Sequence, residues 1–365
     1  MVSAVFCWVE VNGYMASCWQ ALAKRAGIKV SVVAGSAGSV VAENRFGDDL
    51  VAGLDAEILD AESFGSQVRV ADAVLAHKPD VVLIPGWLNP AFSALAFDRR
   101  LDHAKFIMGL DTPRLDNWRQ HLARFKVGRL VDRMDQVLVT GERSWQFARR
   151  YLRVPEEKLV RGLYGVNHAV LRQAHESRST RVGGWPKSFV FLGRMIEIKG
   201  VDVLAQAYSQ YRTSVPDPWP LRCCGTGPLA GMLRAVPGIE DLGFVQPAAM
   251  PEILSQQGVF VLPSRYDPWP LVVVEACSAG LPIICSNACG SAVEVVRQQF
   301  NGLLVATGSA PALAGALRWS HEHHAELPEM GRRSLQLTEP YSAESWGANL
   351  EAVLRKLAPS SSTRW

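Results

Sequence analysis

The sequence has no apolar run of the 18 or more residues that a membrane-crossing helix needs. It also has no basic segment ahead of its first apolar stretch, so "MVSAVFCWVEVNG" reads as a first strand and not as a secretion signal. There is no Cys-x-x-Cys pair. The seven cysteines, an odd number, are scattered, with two adjacent at Cys223 and Cys224. That pattern gives neither a zinc site nor a disulfide framework, so no metal is expected, and it fits a reducing cytoplasm. A strong excess of one charge is missing as well. A net charge of +3 is far from the basic balance of a nucleic-acid-binding domain. No internal repeat of fixed period is present, which excludes a solenoid.

What is present is length and alternation. A chain of 365 residues, 48% of them hydrophobic and 20% charged, can build two soluble domains with a core each. Short apolar runs alternate with helical patterns throughout, the signature of βαβ units and a parallel sheet. "SAVFCWV", "KVSVVAG", "DVVLIPG", "KFIMGLD" and "QVLVTG" read as strands of one series. "FVFLGR", "LRCCG", "EDLGFV", "VFVLPS", "PIICS" and "GLLV" read as strands of a second. The expected fold is α/β, with two doubly wound Rossmann-like domains facing across a cleft. The first spans residues 1–167 and the second 185–341. Residues 168–184, polar, basic and glycine-bearing, read as the interdomain connection. A closing helix over 342–358 is expected to return to the first domain, followed by a disordered tail.

Between Arg99 and Arg161 basic residues outnumber acidic ones. Within this region, Arg114 to Arg133 interleaves Arg and Lys with Trp118, Leu122, Phe125, Val127, Leu130 and Val131, an amphipathic helix with a basic face. A core helix with a solvated face explains it. Peripheral contact with an anionic membrane at the inner face explains it too.

The loops after the second-series strands carry the chemistry. "GRMIEIKG" places Gly193 at a strand end, with Arg194 and Lys199 five residues apart. Two such cations suit one diphosphate, the arginine as a fork and the lysine as a point charge. "CCGTGP" offers Gly225 and Gly227 for close approach of a ligand. No acidic residue ends the following strand, which argues against a dinucleotide fingerprint. Phe244 and Val245 in "LGFV" can hold a flat base through main-chain groups. In "SRYDPWPLVVVEACSAGLP" (264–282), Pro270 suits the first position of a helix that is apolar all round. The amides of Leu271, Val272 and Val273, just after Trp269 and Pro270, would then lack helical partners and form an anion site. Glu275 sits in that apolar helix and needs partners, which ligand hydroxyls or an arginine can supply. Asp267 stands in the preceding turn.

The order of these motifs resembles the retaining glycosyltransferases of family 4, which have the GT-B fold. The family's two acids separated by seven residues, a small-residue run, Gly-x-Pro and a glycine-rich turn with a glutamate stand here as "DPWPLVVVEACSAGLPIICSNACGSAVE". The likeness covers Phe189 to Val305 well and the N-terminal half in architecture. It implies that Arg194 and Lys199 hold the diphosphate of a nucleotide-sugar. Glu275 would take the ribose hydroxyls and Asp267 the hydroxyls of the transferred sugar. Transfer to a glycan, lipid-linked or small-molecule acceptor on the first domain would proceed with retention and without metal, and no Asp-x-Asp pair is present.

Four positions depart from the family. The first acid is Asp where Glu is usual, and Pro270 replaces a glycine. The N-terminal Gly-Gly loop reads Asn12-Gly13, and Asp111 occupies the place of a catalytic-face histidine. Trp87, ending another first-series strand, is a candidate for stacking on an acceptor sugar. Two other readings stay open: a non-catalytic binder of sugar-nucleotides, and a nucleotide-sugar epimerase of the same fold.

Overall fold

The computed structural model describes residues 1–36 and 48–358. The segment 359–365, expected to be disordered, lies outside them. The described residues form two units, one of Met1–Gly165 with the segment from Ala343, the other of Val166–Ser342.

The first unit is built on seven parallel strands: β1 (Val2–Trp8), β2 (Ile28–Gly35), β3 (Asp55–Leu59), β4 (Val81–Ile84), β5 (Lys105–Leu110), β6 (Gln136–Val139) and β7 (Leu159–Arg161). Their order is β3-β2-β1-β4-β5-β6-β7, so the winding reverses between β1 and β4. Alternation along β1 feeds two cores. Val5 and Cys7 face one side of the sheet; Ala4, Phe6 and Trp8 face the other. Helix Gly13–Ala23 lays Met15, Cys18, Trp19 and Leu22 on the second side, at the spacing of one helical face. The last helix, Ala343–Leu357, adds Trp346, Leu350 and Leu354 to that core, and the Trp346 indole donates to the Leu163 carbonyl at 3.0 Å. β3 escaped the sequence reading because it is an edge strand with only Leu59 buried.

The amphipathic stretch 114–133 is not one helix. A single turn, Trp118–His121, is followed by a second helix, Ala123–Arg133. Its apolar residues divide. Leu130 and Val131 enter the core, whereas Trp118 and Phe125 are 68% and 86% exposed.

The second unit carries β8 (Phe189–Leu192), β9 (Leu221–Cys224), β10 (Ile239–Gly243), β11 (Val259–Leu262), β12 (Ile283–Ser286) and β13 (Gly302–Val305), all parallel. The order β10-β9-β8-β11-β12-β13 puts the reversal between β8 and β11. Ligands of doubly wound sheets bind outside the carboxyl ends of the strands at such a reversal.

Residues 168–184, expected as a bare connection, carry the helix His168–Ser179, with Leu171, Ala174 and Arg178 buried in the second unit. The polar composition misled because the buried arginine is satisfied by backbone. Its guanidinium donates to the carbonyls of Gln257 (2.8 Å), Ala279 (2.9 Å), Gly280 (3.1 Å) and Leu254 (2.5 Å). Burial lowers its pKa to about 9. Two of those carbonyls follow helix Leu271–Ser278, so a cation holds that helix at its negative end. All seven cysteines are buried and unbridged. Among the described residues no helix is long and apolar enough to cross a membrane.

Candidate functional site

In the second unit the candidate residues gather on the loops that leave β8, β9 and β11. Gly193 follows β8 in a left-handed conformation (φ 150°), and Arg194 after it is exposed, with no hydrogen-bond or acidic partner for its guanidinium among the described residues. Lys199 closes the short turn Glu197–Lys199, and its ammonium meets Oδ2 of Asp267 at 2.5 Å. The side chains are 17% and 9% exposed, so this is a nearly buried ion pair. The two cations expected to share one diphosphate are therefore unlike. Arg194 is free, and Lys199 is engaged by the acid expected to face the sugar. Their separation of 68 residues hid the pairing from the sequence.

The turn carrying Asp267 is fixed on two sides. On one, the Arg265 amide donates to the Ile198 carbonyl at 2.8 Å and its guanidinium pairs with Asp202. On the other, the Gly290 amide donates to the Asp267 carbonyl at 2.9 Å, and the Ser291 hydroxyl donates to the Pro270 carbonyl at 2.9 Å. Gly290 is obligatory there, since a Cβ would stand 1.7 Å from the Pro268 carbonyl oxygen. Trp269 is buried with its ring 6.1 Å from that of Tyr341, and its indole N–H has no partner.

Pro270 is the cap of helix Leu271–Ser278, one residue before the position read from the sequence. The amide of Val273 donates to the Pro270 carbonyl at 3.1 Å, which removes it from the expected anion site. The amides of Leu271 and Val272 remain without acceptors among the described residues, and both residues are half-buried. Glu275 lies one turn further on, over the first turn of the same helix face. It is half-buried, and its carboxylate has no hydrogen-bond or ion-pair partner among the described residues. Burial pushes its pKa up to about 7.

At Gly225 and Gly227 a side chain would meet backbone of the same unit. The loops after β8 and β9 zip together: the Gly193 amide donates to Cys224 at 3.0 Å and the Met195 amide to Thr226 at 2.7 Å. A Cβ on Gly225 would stand 2.0 Å from the Gly193 carbonyl oxygen, and one on Gly227 would stand 2.5 Å from that of Met195. The close neighbour is backbone of the same unit. Phe244 and Val245 follow β10, both half-buried, and the Gly243 carbonyl accepts from the Gly225 amide at 2.7 Å.

In the first unit Asn12 is the cap of helix Gly13–Ala23, its side chain accepting from the Met15 amide at 3.2 Å. Asp111 directly follows β5, is exposed, and accepts from the Tyr164 hydroxyl at 3.4 Å. The Tyr164 ring meets Tyr14 edge-on at 5.4 Å and Trp8 at 6.3 Å. Tyr14 and Tyr164 were not singled out in the sequence, and no local pattern marks either of them. Trp87 packs against Phe147, rings 6.3 Å apart, and belongs to the edge of the core.

Residues 186–323 match the family described as "Glycosyl transferases group 1". A D-inositol 3-phosphate glycosyltransferase of Jonesia denitrificans is 33% identical over 142 residues, 35% of this chain and 33% of that protein. The chain spans between 17% and 53% of the length of the curated relatives it matches. Among solved structures, sucrose-phosphate synthase from Thermosynechococcus elongatus superposes with a TM-score of 0.73 at 17% identity, covering 98% of this chain and 99% of that one. The Anabaena protein HepE in complex with UDP and glucose gives 0.73 at 17% identity, covering 98% and 100%. The chain thus has the two-domain GT-B fold, and the likeness to group 1 glycosyltransferases lies in residues 186–323 of its second unit.

Proposed function

We propose that this chain is a glycosyltransferase that moves a sugar from a nucleoside-diphosphate-sugar to a glycan, lipid-linked or small-molecule acceptor, with retention and without metal. The observation that carries the reading is Glu275, a half-buried carboxylate without a protein partner, over a helix turn whose first amides are also free. An unpartnered polar group in such a place is costly unless a ligand completes it. The hydroxyls of a ribose and the oxygens of a diphosphate supply what the carboxylate and the amides lack. The Anabaena protein of the same fold holds UDP and glucose, and that agrees with a nucleotide-sugar site here.

Arg194 is the free cation for the diphosphate, and helix amides support it as charge grows on the leaving group. Lys199 and Asp267 act as a unit: hydroxyls of the transferred sugar bond Asp267 while Lys199 holds its carboxylate in place. The first unit supplies the acceptor side, with Asp111, Tyr164 and Tyr14 after β5, β7 and β1. Trp87 is assigned to packing.

A thermal-shift screen against UDP-, GDP-, ADP- and dTDP-sugars tests the reading, because a ligand bound only by the folded state raises the melting temperature. The matching donor is then followed for release of free nucleoside diphosphate with and without EDTA. No shift with any donor overturns the proposal, and release abolished by EDTA overturns its metal-independent part.

A further inference from the structure

We propose that the first unit docks on a bilayer surface rich in anionic phospholipid, through the outward face of residues 115–129. This does not rest on the activity proposed above. Leu115, Trp118, Leu122 and Phe125 are 48%, 68%, 43% and 86% exposed, and Phe97 beside them is 50% exposed. Large apolar side chains grouped in this way mark an interaction surface more than scattered ones do. The helix Ala123–Arg133 already buries Leu130 and Val131, so Phe125 and Leu122 are not the core face of a misplaced helix. They form a second apolar face.

Charge decides the occupant. Arg119, Lys126 and Arg129 on this face have no acidic partner among the described residues; Arg119 lies over the Trp118 ring at 5.6 Å and Arg129 over Phe97 at 5.8 Å. The one acid within this face, Asp116, is neutralised by Arg114 at 2.9 Å, and Asp132 just beyond it by Arg124 at 2.7 Å. The face is therefore apolar at its centre, with unpaired cations along it. A second copy would set those cations against its own, which disfavours self-association. An anionic lipid surface satisfies both parts. Headgroup phosphates take the cations, and the rings enter the boundary where aromatic side chains are at home.

The test is co-sedimentation of the full chain with vesicles in which about a third of the lipid is phosphatidylglycerol, the rest phosphatidylcholine. Binding is expected at low ionic strength and should fall at least ~tenfold at physiological salt. Trp118→Ser with Phe125→Ser, and separately Arg119→Gln with Lys126→Gln and Arg129→Gln, should each weaken it by ~tenfold or more. All of these side chains are exposed, so melting curves should match the wild type. No binding by the wild type at low salt overturns the proposal, as does equal binding to pure phosphatidylcholine. So does a concentration-dependent dimer, seen by sedimentation velocity without vesicles, that Phe125→Ser abolishes.

Discussion

Lys199 and Asp267 form a nearly buried ion pair, Nζ to Oδ2 at 2.5 Å, that ties the turn after β8 to the turn after β11. Burying one partner without the other is far more costly than burying the pair. Lys199→Met and Asp267→Leu should each destabilise the second unit by about 3 kcal/mol, and the double variant should recover most of that loss. Denaturant unfolding of the four proteins measures the coupling. Nucleotide-sugar binding separates structure from function: the double variant should fold and still fail to transfer sugar. Transfer by the refolded double variant would remove both residues from the proposed site.

Arg194 offers the contrasting case, because its guanidinium pairs with nothing among the described residues. Arg194→Ala should leave stability within about 0.5 kcal/mol of the wild type. Affinity for the nucleotide-sugar should drop at least ~tenfold, about 1.4 kcal/mol. Calorimetry gives the affinity and thermal melting the stability. An unchanged affinity would move the diphosphate elsewhere.

Glu275 links function to pH. Its carboxyl has a pKa of about 7 in the folded chain against an ordinary value of 4.5. The folded state therefore binds the extra proton between those values, and stability falls as pH rises through the window. Ionised Glu275 costs the free protein stability above pH 7, and protonated Glu275 does not. Glu275→Gln should melt higher than the wild type at pH 8 and alike at pH 4. The same substitution should weaken nucleotide-sugar binding by ~tenfold or more. A variant equal to the wild type in both measurements would mean that the carboxylate has no ligand to complete it.

Much of this was readable before the structure. Parallel strands buried on both faces announce themselves as short apolar runs, and eleven of the thirteen strands lie in the runs read from the sequence; the short edge strand β7, with only Leu159 buried, was missed like β3. β3 was lost because an edge strand that buries only Leu59 looks like a loop. Helix His168–Ser179 was lost because a buried arginine satisfied by four carbonyls has no local pattern. Asp267 and Glu275 stood out from one local motif. The Lys199 partner of Asp267 did not, since spacing along the chain says nothing about contacts 68 residues apart. The glycines are legible in the same partial way. Composition shows that a Cβ is forbidden, but not whether ligand or backbone forbids it.

Gly225 decides that last question directly. With φ 138° and a Cβ position 2.0 Å from the Gly193 carbonyl oxygen, Gly225→Ala forces the loops after β8 and β9 apart. The expected result is a loss of about 3 kcal/mol or more in unfolding free energy, because strained backbone and overpacking add. Urea unfolding of the ligand-free protein measures it. A variant with wild-type stability that loses only nucleotide-sugar binding would show that the glycine leaves room for ligand, as the sequence alone suggested.

Asp111 tests the first unit in the same manner. Asp111 is exposed and accepts the Tyr164 hydroxyl at 3.4 Å, so Asp111→Asn should barely change stability. If the acid positions the acceptor, the variant should bind the donor as the wild type does and transfer sugar about 100-fold more slowly, because a misplaced acceptor loses orientation. Tyr164→Phe, which removes its hydroxyl's hydrogen bond to that acid, should show a smaller loss in the same direction. Initial rates at saturating donor, with donor affinity measured separately, distinguish the cases. A loss of donor binding in Asp111→Asn would assign the residue to the nucleotide-sugar, and unchanged transfer would leave it a strand-end acid without a part in the reaction.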